Sequence, residues 1–273
     1  MQKIMFLASI WLALGSAVFG QANADVGAPA RAAEKANGKR QTFDVVSIKR
    51  HKPGIDNGGI AGLPDGMEWT NVEFVTLVRG AYGTYLDSQI TGLPAWAKSD
   101  SYDITAKVDA ATADRWKKLT AREQWAEEQP MTQSLLADRC QFKSHWETKE
   151  LPVYDLVIAK GGLKMKEALP DEDAREYMTG GKLTVQAMTI GSVVYGFTNA
   201  VGRLIVDDTG LGNKKFDFEL RWTPDNQPVE QDSSDAAPSL FTALEEQLGL
   251  KLVSSKGPVQ ILVVDHMERP SPN

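Results

Sequence analysis

Two stretches of this sequence share two short motifs in the same order: DDTGLGNKKFDF at residues 207–218 and QITGLPAWAKSDSYDI at residues 89–104. Each contains Thr-Gly-Leu and, several residues later, an aromatic residue, an aspartate and an apolar residue in succession. From Phe216 to Trp222 apolar and charged side chains alternate strictly, which is typical of a strand with one buried face. The sequence therefore predicts that one strand-containing unit occurs twice.

The similarity extends outward in both directions. Upstream, apolar residues recur at the i, i+3, i+4, i+7 spacing of one helix face: Phe74, Leu77, Val78, Ala81 and Ile190, Val193, Val194, Phe197. Downstream, residues 135–143 match residues 243–251, and Leu151-Pro152-Val153 matches Gly257-Pro258-Val259. Because the matches keep their order, we interpret them as an internal duplication.

The pattern predicts an α+β fold with two similar lobes of mixed or antiparallel sheet and helices packed on one face. Lobe one covers residues 42–160, a linker 161–181, and lobe two 182–273. Two strands close each unit, at 141–148 and 153–159 in lobe one and at 250–254 and 259–265 in lobe two. Helices are expected at 131–139 and 239–248, the second beginning at the N-cap Ser239 and ending at Gly249.

Residues 1–24 have the pattern of a secretory signal peptide. Lys3 precedes an apolar run at residues 4–19, and Ala22-Asn23-Ala24 is a small-x-small cleavage site. The run is shorter than the roughly 20 residues that cross a bilayer, so we favour cleavage after Ala24 over a membrane anchor. Residues 25–41 are expected to be flexible, no later segment is expected to cross a membrane, and the predicted location is periplasmic or extracellular.

Charge and motifs exclude several classes of function. The chain of 273 residues holds 30 Lys and Arg against 36 Asp and Glu, a net charge of −6, which disfavours a nucleic-acid partner. It contains no H-E-x-x-H, G-x-S-x-G, phosphate-binding loop or G-x-G-x-x-G. We therefore expect no metal and no cofactor, and assign no catalytic residue. Cys140, the only cysteine, is interpreted as a small buried apolar residue.

Two loops hold the candidate binding residues. Trp96 follows Thr91 and Gly92, and its ring could stack on a sugar or peptide ligand or simply cover the edge of the lobe. The second loop is Asp207, Asp208, Thr209 and Gly210. It is either a carboxylate site or a turn in which aspartate accepts local hydrogen bonds and glycine adopts a positive φ. An aspartic-protease site would need a matching second loop, where Ile90 stands instead. The acidic run at residues 171–173 is expected to be solvated.

Several stretches also resemble a known family: FDVVSIK at 43–49, QITGLPAW at 89–96, LLADR at 135–139, LPVYDL at 151–156, VDDTGL at 206–211 and QLGLKL at 247–252. The chain is similar, from about Phe43 to Asn273, to exported, soil-associated, mainly acidobacterial proteins classed as a domain of unknown function. Cys140 departs from the aromatic residue usual there. The resemblance implies no catalytic residue. Related domains are fused to membrane-embedded sensor metallopeptidases, which implies an extracytoplasmic sensing or docking role.

We therefore expect an exported, non-enzymatic binding protein whose partner is an envelope protein or a small envelope ligand. The alternative is a cell-envelope hydrolase using Asp207 and Asp208 with Asp103 or Asp217. A docking protein should present an open strand edge or an exposed apolar patch. A hydrolase should bring carboxyl groups together in a pocket with raised pKa values.

Overall fold

The computed structural model describes residues 40–52, 54, 58–169, 172, 174–224 and 237–271. The predicted signal peptide and most of the predicted flexible N-terminus lie outside the described residues, as do Asp171 and Asp173 of the acidic run. The described residues form five helices and twelve strands in three sheets, so the α+β prediction is confirmed.

The elements have the following bounds. The strands are β1 (Val45–Arg50), β2 (Gly59–Leu63), β3 (Gly66–Glu73), β4 (Ile90–Thr91), β5 (Ser101–Lys107), β6 (Lys143–Ile158), β7 (Lys166–Glu167), β8 (Arg175–Thr179), β9 (Lys182–Thr189), β10 (Ile205–Asp207), β11 (Lys215–Arg221) and β12 (Leu250–His266). The helices are α1 (Phe74–Tyr82), α2 (Ala110–Trp116), α3 (Ala121–Cys140), α4 (Ile190–Val201) and α5 (Leu240–Ala243), which continues as a π-helical turn (Leu244–Leu248).

The first and third sheets have the same strand order. The first is β1-β5-β3-β2 and the third is β7-β11-β9-β8, and all their described pairs are antiparallel. A register shift interrupts β3–β5 between Trp69 and Val72, and another interrupts β9–β11 between Phe216 and Phe218. The two sheets thus correspond element by element. That the halves arose by duplication stays a prediction.

The aspartate of the repeated aromatic-Asp-apolar motif holds this irregularity in place. Asn71 and Ala187 both have φ 52°, a left-handed conformation that costs a non-glycine residue about 1–2 kcal/mol. The Asn71 N–H donates to Asp103 Oδ1 at 3.0 Å, and the Ala187 N–H donates to Asp217 Oδ1 at 2.9 Å. Each carboxylate therefore satisfies an N–H that the interrupted ladder leaves without a strand partner.

The second sheet, in the order β10-β6-β12-β4, joins the two halves. The long strands β6 and β12 pair antiparallel along their whole length. β4 of the first half pairs parallel to β12, and β10 of the second half pairs parallel to β6. As a result, Leu262 and Val264 pack in the first core with Phe74, whereas Leu156 packs in the second core with Ile190.

The sequence predicted two closing strands in each half, but each half has one continuous strand. Pro152 lies opposite Lys256, and Pro258 lies opposite Glu150. Proline lacks an N–H and is tolerated in a strand whose outer side has no neighbour. β10 reaches only Tyr154 to Leu156 on β6, and β4 pairs only with Leu262 and Val263 on β12. Both prolines thus lie where no described strand pairs with the outer side of β6 or β12.

The segment predicted as a linker, residues 161–181, contributes β7 and β8 to the third sheet. A Gly-Gly turn connects β8 to β9, and both Gly180 and Gly181 have positive φ, 44° and 88°. Such a pair is characteristic of a two-residue hairpin turn whose twist matches the flanking strands.

The helices follow the predicted apolar faces. Phe74, Leu77, Val78 and Ala81 of α1 are buried, as are Ile190, Val193, Val194 and Phe197 of α4. Ser239 caps α5 by accepting from the Thr242 N–H at 3.3 Å, and Gly249 ends the π-helical turn at φ 69°. α3 is longer than predicted. Its N-cap is Thr120, which forms a capping box with Glu123.

Removing the Asp217 carboxylate should destabilise the fold more than removing an exposed one. Asp217→Ala leaves the N–H of Ala187, a residue 1% exposed, without its acceptor, and should cost about 1–3 kcal/mol. Asp208→Ala, at an exposed position, should change the free energy of unfolding by less than about 0.5 kcal/mol. Urea unfolding of both variants measures this, and equal losses would contradict the role given to Asp217.

Cys140 should be inert in the native protein. It is fully buried at the end of α3, and burial raises the pKa of its thiol to about 12, so the reactive thiolate is scarce at pH 8. Iodoacetamide at pH 8 should leave the native chain unmodified and label it once in 8 M urea, as followed by intact mass. Rapid alkylation of the native chain would contradict the burial of Cys140.

Candidate functional site

Trp96 lies in a 3₁₀ turn (Ala95–Lys98) and packs within the first core. Its ring centroid is 5.4 Å from that of Phe74 and 6.3 Å from that of Tyr102, both edge-to-face. The Arg269 guanidinium stands 5.4 Å from the ring centroid and also binds the Asp100 carboxylate. This packing favours the alternative in which Trp96 covers the edge of the lobe; ligand stacking stays a prediction.

The loop that carries Thr91 and Gly92 is shaped by a close backbone approach. Thr91 pairs with Val263 in the central sheet and is exposed. Gly92 has φ 80°, and a Cβ at this position would overlap the carbonyl oxygen of Val264. Only glycine fits both the conformation and the space, so the backbone geometry of this loop requires glycine at position 92.

The loop of Asp207, Asp208, Thr209 and Gly210 forms a hydrogen-bonded turn. Asp207 Oδ1 accepts from the Thr209 N–H at 3.0 Å and from the Thr209 hydroxyl at 2.6 Å. The Leu211 N–H donates to Thr209 Oγ1 at 3.3 Å, and Gly210 has φ 70°. This is the geometry of the turn alternative.

The carboxylates proposed for a hydrolase serve different parts of the fold. Asp207 organises the turn after β10, while Asp103 and Asp217 bind backbone N–H groups in the first and third sheets. None of these residues, nor Asp208, lines the cleft of about 450 Å³ beside α5 and the start of β12. No described contact brings the predicted carboxylates together.

Three of the four charged residues of that cleft already bind one another or the backbone: Lys164, Lys251 and Glu245. Lys164 Nζ donates to the carbonyl oxygen of Glu246 at 2.7 Å, and Lys251 Nζ lies 3.4 Å from Glu245. Burial raises the pKa of two carboxyl groups, those of Glu128 on α3 and Glu176 on β8, and neither residue lines the cleft. The cleft therefore lacks the carboxyl arrangement that the hydrolase alternative requires.

The most distinctive surface is the outer edge of β8. β8 pairs with β9 on one side only, and no described strand lies on its other side. All five of its residues are exposed, with Tyr177 at 67% and Met178 at 43%. A strand of this kind presents a row of main-chain N–H and C=O groups ready for pairing.

Helix α4 supports β8 from one face. Strand alternation places Glu176 and Met178 on the α4 side, where a Cβ at Gly196 would lie 2.9 Å from Met178 Cε and 3.8 Å from Glu176 Oε1. The missing side chain at Gly196 thus leaves room for β8. On the α4 side the edge is therefore apolar at Met178.

Glu176 is the one charged residue of β8 on the α4 side. Although β8 is exposed, the end of this side chain lies against α4, and partial burial raises the pKa of its carboxyl group. Its neighbour across the strand pair is Val185, which is apolar and buried. Among the described residues Glu176 has no ion pair and no side-chain hydrogen bond.

The edges of β2, β6 and β12 differ from that of β8. The open sides of β6 and β12 carry Pro152 and Pro258 beside charged residues such as Glu150 and Lys256, which discourage further pairing. β2 has an exposed Ile60, at 54%, but no aromatic or charged side chain. β8 combines an open edge with tyrosine, methionine and arginine, which are enriched in protein interfaces.

The sequence contains a signal for β8, although residues 161–181 were predicted to be a linker. Two short runs flank Gly180-Gly181, and such a dipeptide between potential strands is a hairpin signal. No pattern of β8 itself indicated a binding edge, because that property depends on which strands the fold places next to it.

Comparison with known proteins places the chain by family alone. The profile of the family described as "Protein of unknown function (DUF3738)" matches residues 75–267, from the start of α1 to just beyond β12, and so includes β8 and α4. No curated protein and no solved structure matches the chain.

Two further searches concern only the part of the chain that the structure describes. No helix within it has the length and apolar character to cross a membrane. Nor does it contain a group of three or more His, Cys, Asp or Glu residues placed to hold a metal ion.

The two loop glycines should respond differently to alanine. Gly210 has open space around its Cα, so Gly210→Ala should cost only the left-handed conformation, about 1–2 kcal/mol. Gly92→Ala must also displace the Val264 carbonyl, so it should cost about 3 kcal/mol or more. Urea unfolding of the two variants measures the difference. A loss at Gly92 no larger than that at Gly210 would contradict the close approach.

Proposed function

We propose that this chain, which belongs to the DUF3738 family, is an exported, non-enzymatic interaction protein that binds an extended segment of a cell-envelope protein at β8. Binding occurs by strand addition, in which the segment pairs its main chain with the outer edge of the third sheet. The observation that carries the proposal is an open outer strand whose five residues, Tyr177 and Met178 among them, are all exposed. Export, and membership of a mainly acidobacterial group, rest on the sequence pattern of residues 1–24 and on the resemblance.

The chemistry of β8 suits a docking site. Main-chain pairing supplies affinity that is independent of the partner's sequence, and the side chains beside it supply specificity. Tyr177 offers a large, rigid contact area at small entropic cost, while Met178 can adapt to an apolar side chain of the partner. A five-residue edge fits an extended segment of similar length.

Both described ends of the chain bind residues of α3, in the first half of the fold. Arg40 binds Asp138 Oδ1 at 2.7 Å, and the Ser271 N–H donates to the Arg139 carbonyl oxygen at 2.9 Å. Both ends therefore meet at the last turns of α3 in the first half, whereas β8 belongs to the third sheet. Attachment through either end would therefore start from the first half and not from the third sheet.

The hydrolase alternative has less support. Asp207 is engaged in a turn, and Asp103 and Asp217 bind backbone N–H groups, so no group of these residues offers an acid and a base to one substrate. We therefore propose no catalytic function for Asp103, Asp207 or Asp217.

Selection of displayed random nine-residue peptides for binding to the purified chain tests the proposal. Selected peptides should slow hydrogen exchange of the amides at residues 175–179, because pairing protects the N–H groups of the outer edge. Tyr177→Lys, which places a lysine on the edge, should weaken binding at least about tenfold. Phe241→Lys, at a residue 42% exposed on α5, is the matched control and should change binding less than about twofold.

Protection elsewhere would contradict the proposal. If the selected peptides protect residues around the α5 cleft or Trp96 instead, or if Phe241→Lys weakens binding as much as Tyr177→Lys, β8 is not the docking site.

A further inference from the structure

The charge on the inner side of an edge strand restricts what can pair with that strand. Glu176 lies on the α4 side of β8 together with the apolar Met178, and both side chains reach toward Gly196 of the helix. A charge that points inward from an edge strand is a known protection against indiscriminate pairing. A strand added at β8 would cover this carboxylate further and remove water from it.

The third sheet itself offers no counter-charge at this position. The residue opposite Glu176 on β9 is Val185, and no described residue forms an ion pair with the carboxylate. Covering an unpaired carboxylate opposes binding, whereas a paired and hydrogen-bonded carboxylate is tolerated. Compensation must therefore come from the added strand.

We propose that the segment bound at β8 carries a lysine or arginine facing α4, directly across from Glu176, with an apolar residue two positions away against Met178. This inference rests on the proposed function and names the class of partner. Directly opposite residues of a strand pair have Cβ atoms about 4.5–5.5 Å apart, which is within reach of an ion pair. The apolar residue is two positions away because alternate residues share a face.

Specificity follows from the same arrangement. A segment with a neutral residue opposite Glu176 leaves the carboxylate covered and unpaired, and an acidic residue adds repulsion. Glu176 thus acts against wrong partners as well as in favour of basic ones. Arg175, Tyr177 and Thr179 lie on the other face of β8 and are exposed, so a charge on that face of the partner stays in water and contributes less.

The same peptide selection tests this inference when it is carried out on the unmodified chain and on variants with a different charge at residue 176. On the unmodified chain, selected peptides should be enriched in lysine or arginine at one position, and replacing that residue by glutamate should weaken binding at least about tenfold. On Glu176→Lys the preference should reverse to aspartate or glutamate at the same position. Glu176→Gln should reduce the preference for the basic residue to less than about threefold.

Glu150→Lys is the matched control, because it makes the same change of net charge at an exposed residue of β6. A preference that reverses equally in Glu150→Lys, or stays unchanged in Glu176→Lys, would overturn the inference. Peptides that protect residues 175–179 without any charge preference would overturn it and leave the proposed function standing. Peptides that do not protect these residues would overturn both.

Discussion

The antiparallel pairing of β6 with β12 is the interaction on which the rest of the structure depends. The two strands come from different halves of the chain, and each packs residues into the core of the other half. Leu262 and Val264 on β12 belong to the core around Phe74, and Leu156 on β6 belongs to the core around Ile190. Because β4 and β10 are exchanged between the halves, neither half completes its hydrogen bonding alone.

This constraint explains why the repeated motifs serve structure rather than chemistry. Thr-Gly-Leu in the first half brings the chain against the Val264 carbonyl, which only Gly92 permits. The aspartates of the aromatic-Asp-apolar motif bind N–H groups at Asn71 and Ala187, where the ladder is interrupted. The residues that look most like a site in the sequence are thus fixed by backbone demands. The function that we propose uses a surface that these motifs do not mark.

Much of the fold could be predicted from the sequence because its central elements follow simple periodicities. The buried faces of α1 and α4 and the alternation of β11 come directly from residue spacing. The continuous strands through Pro152 and Pro258 could not be predicted, because proline reads as a break unless the open outer edge is known. Trp96 could be identified as notable, but its partner Arg269 lies far away in the chain. The edge of β8 depends on the order of strands in the sheet, which no local pattern contains.

The central claim is that β8 accepts an additional strand, and the NOESY spectrum of the isotope-labelled chain bound to a selected peptide tests it most directly. The account predicts interstrand NOEs between the backbone protons of residues 175–179 and those of the peptide, with the shifts of α5 unchanged. NOEs from the peptide to side chains of the α5 cleft or to Trp96, with none to the β8 backbone, would contradict it.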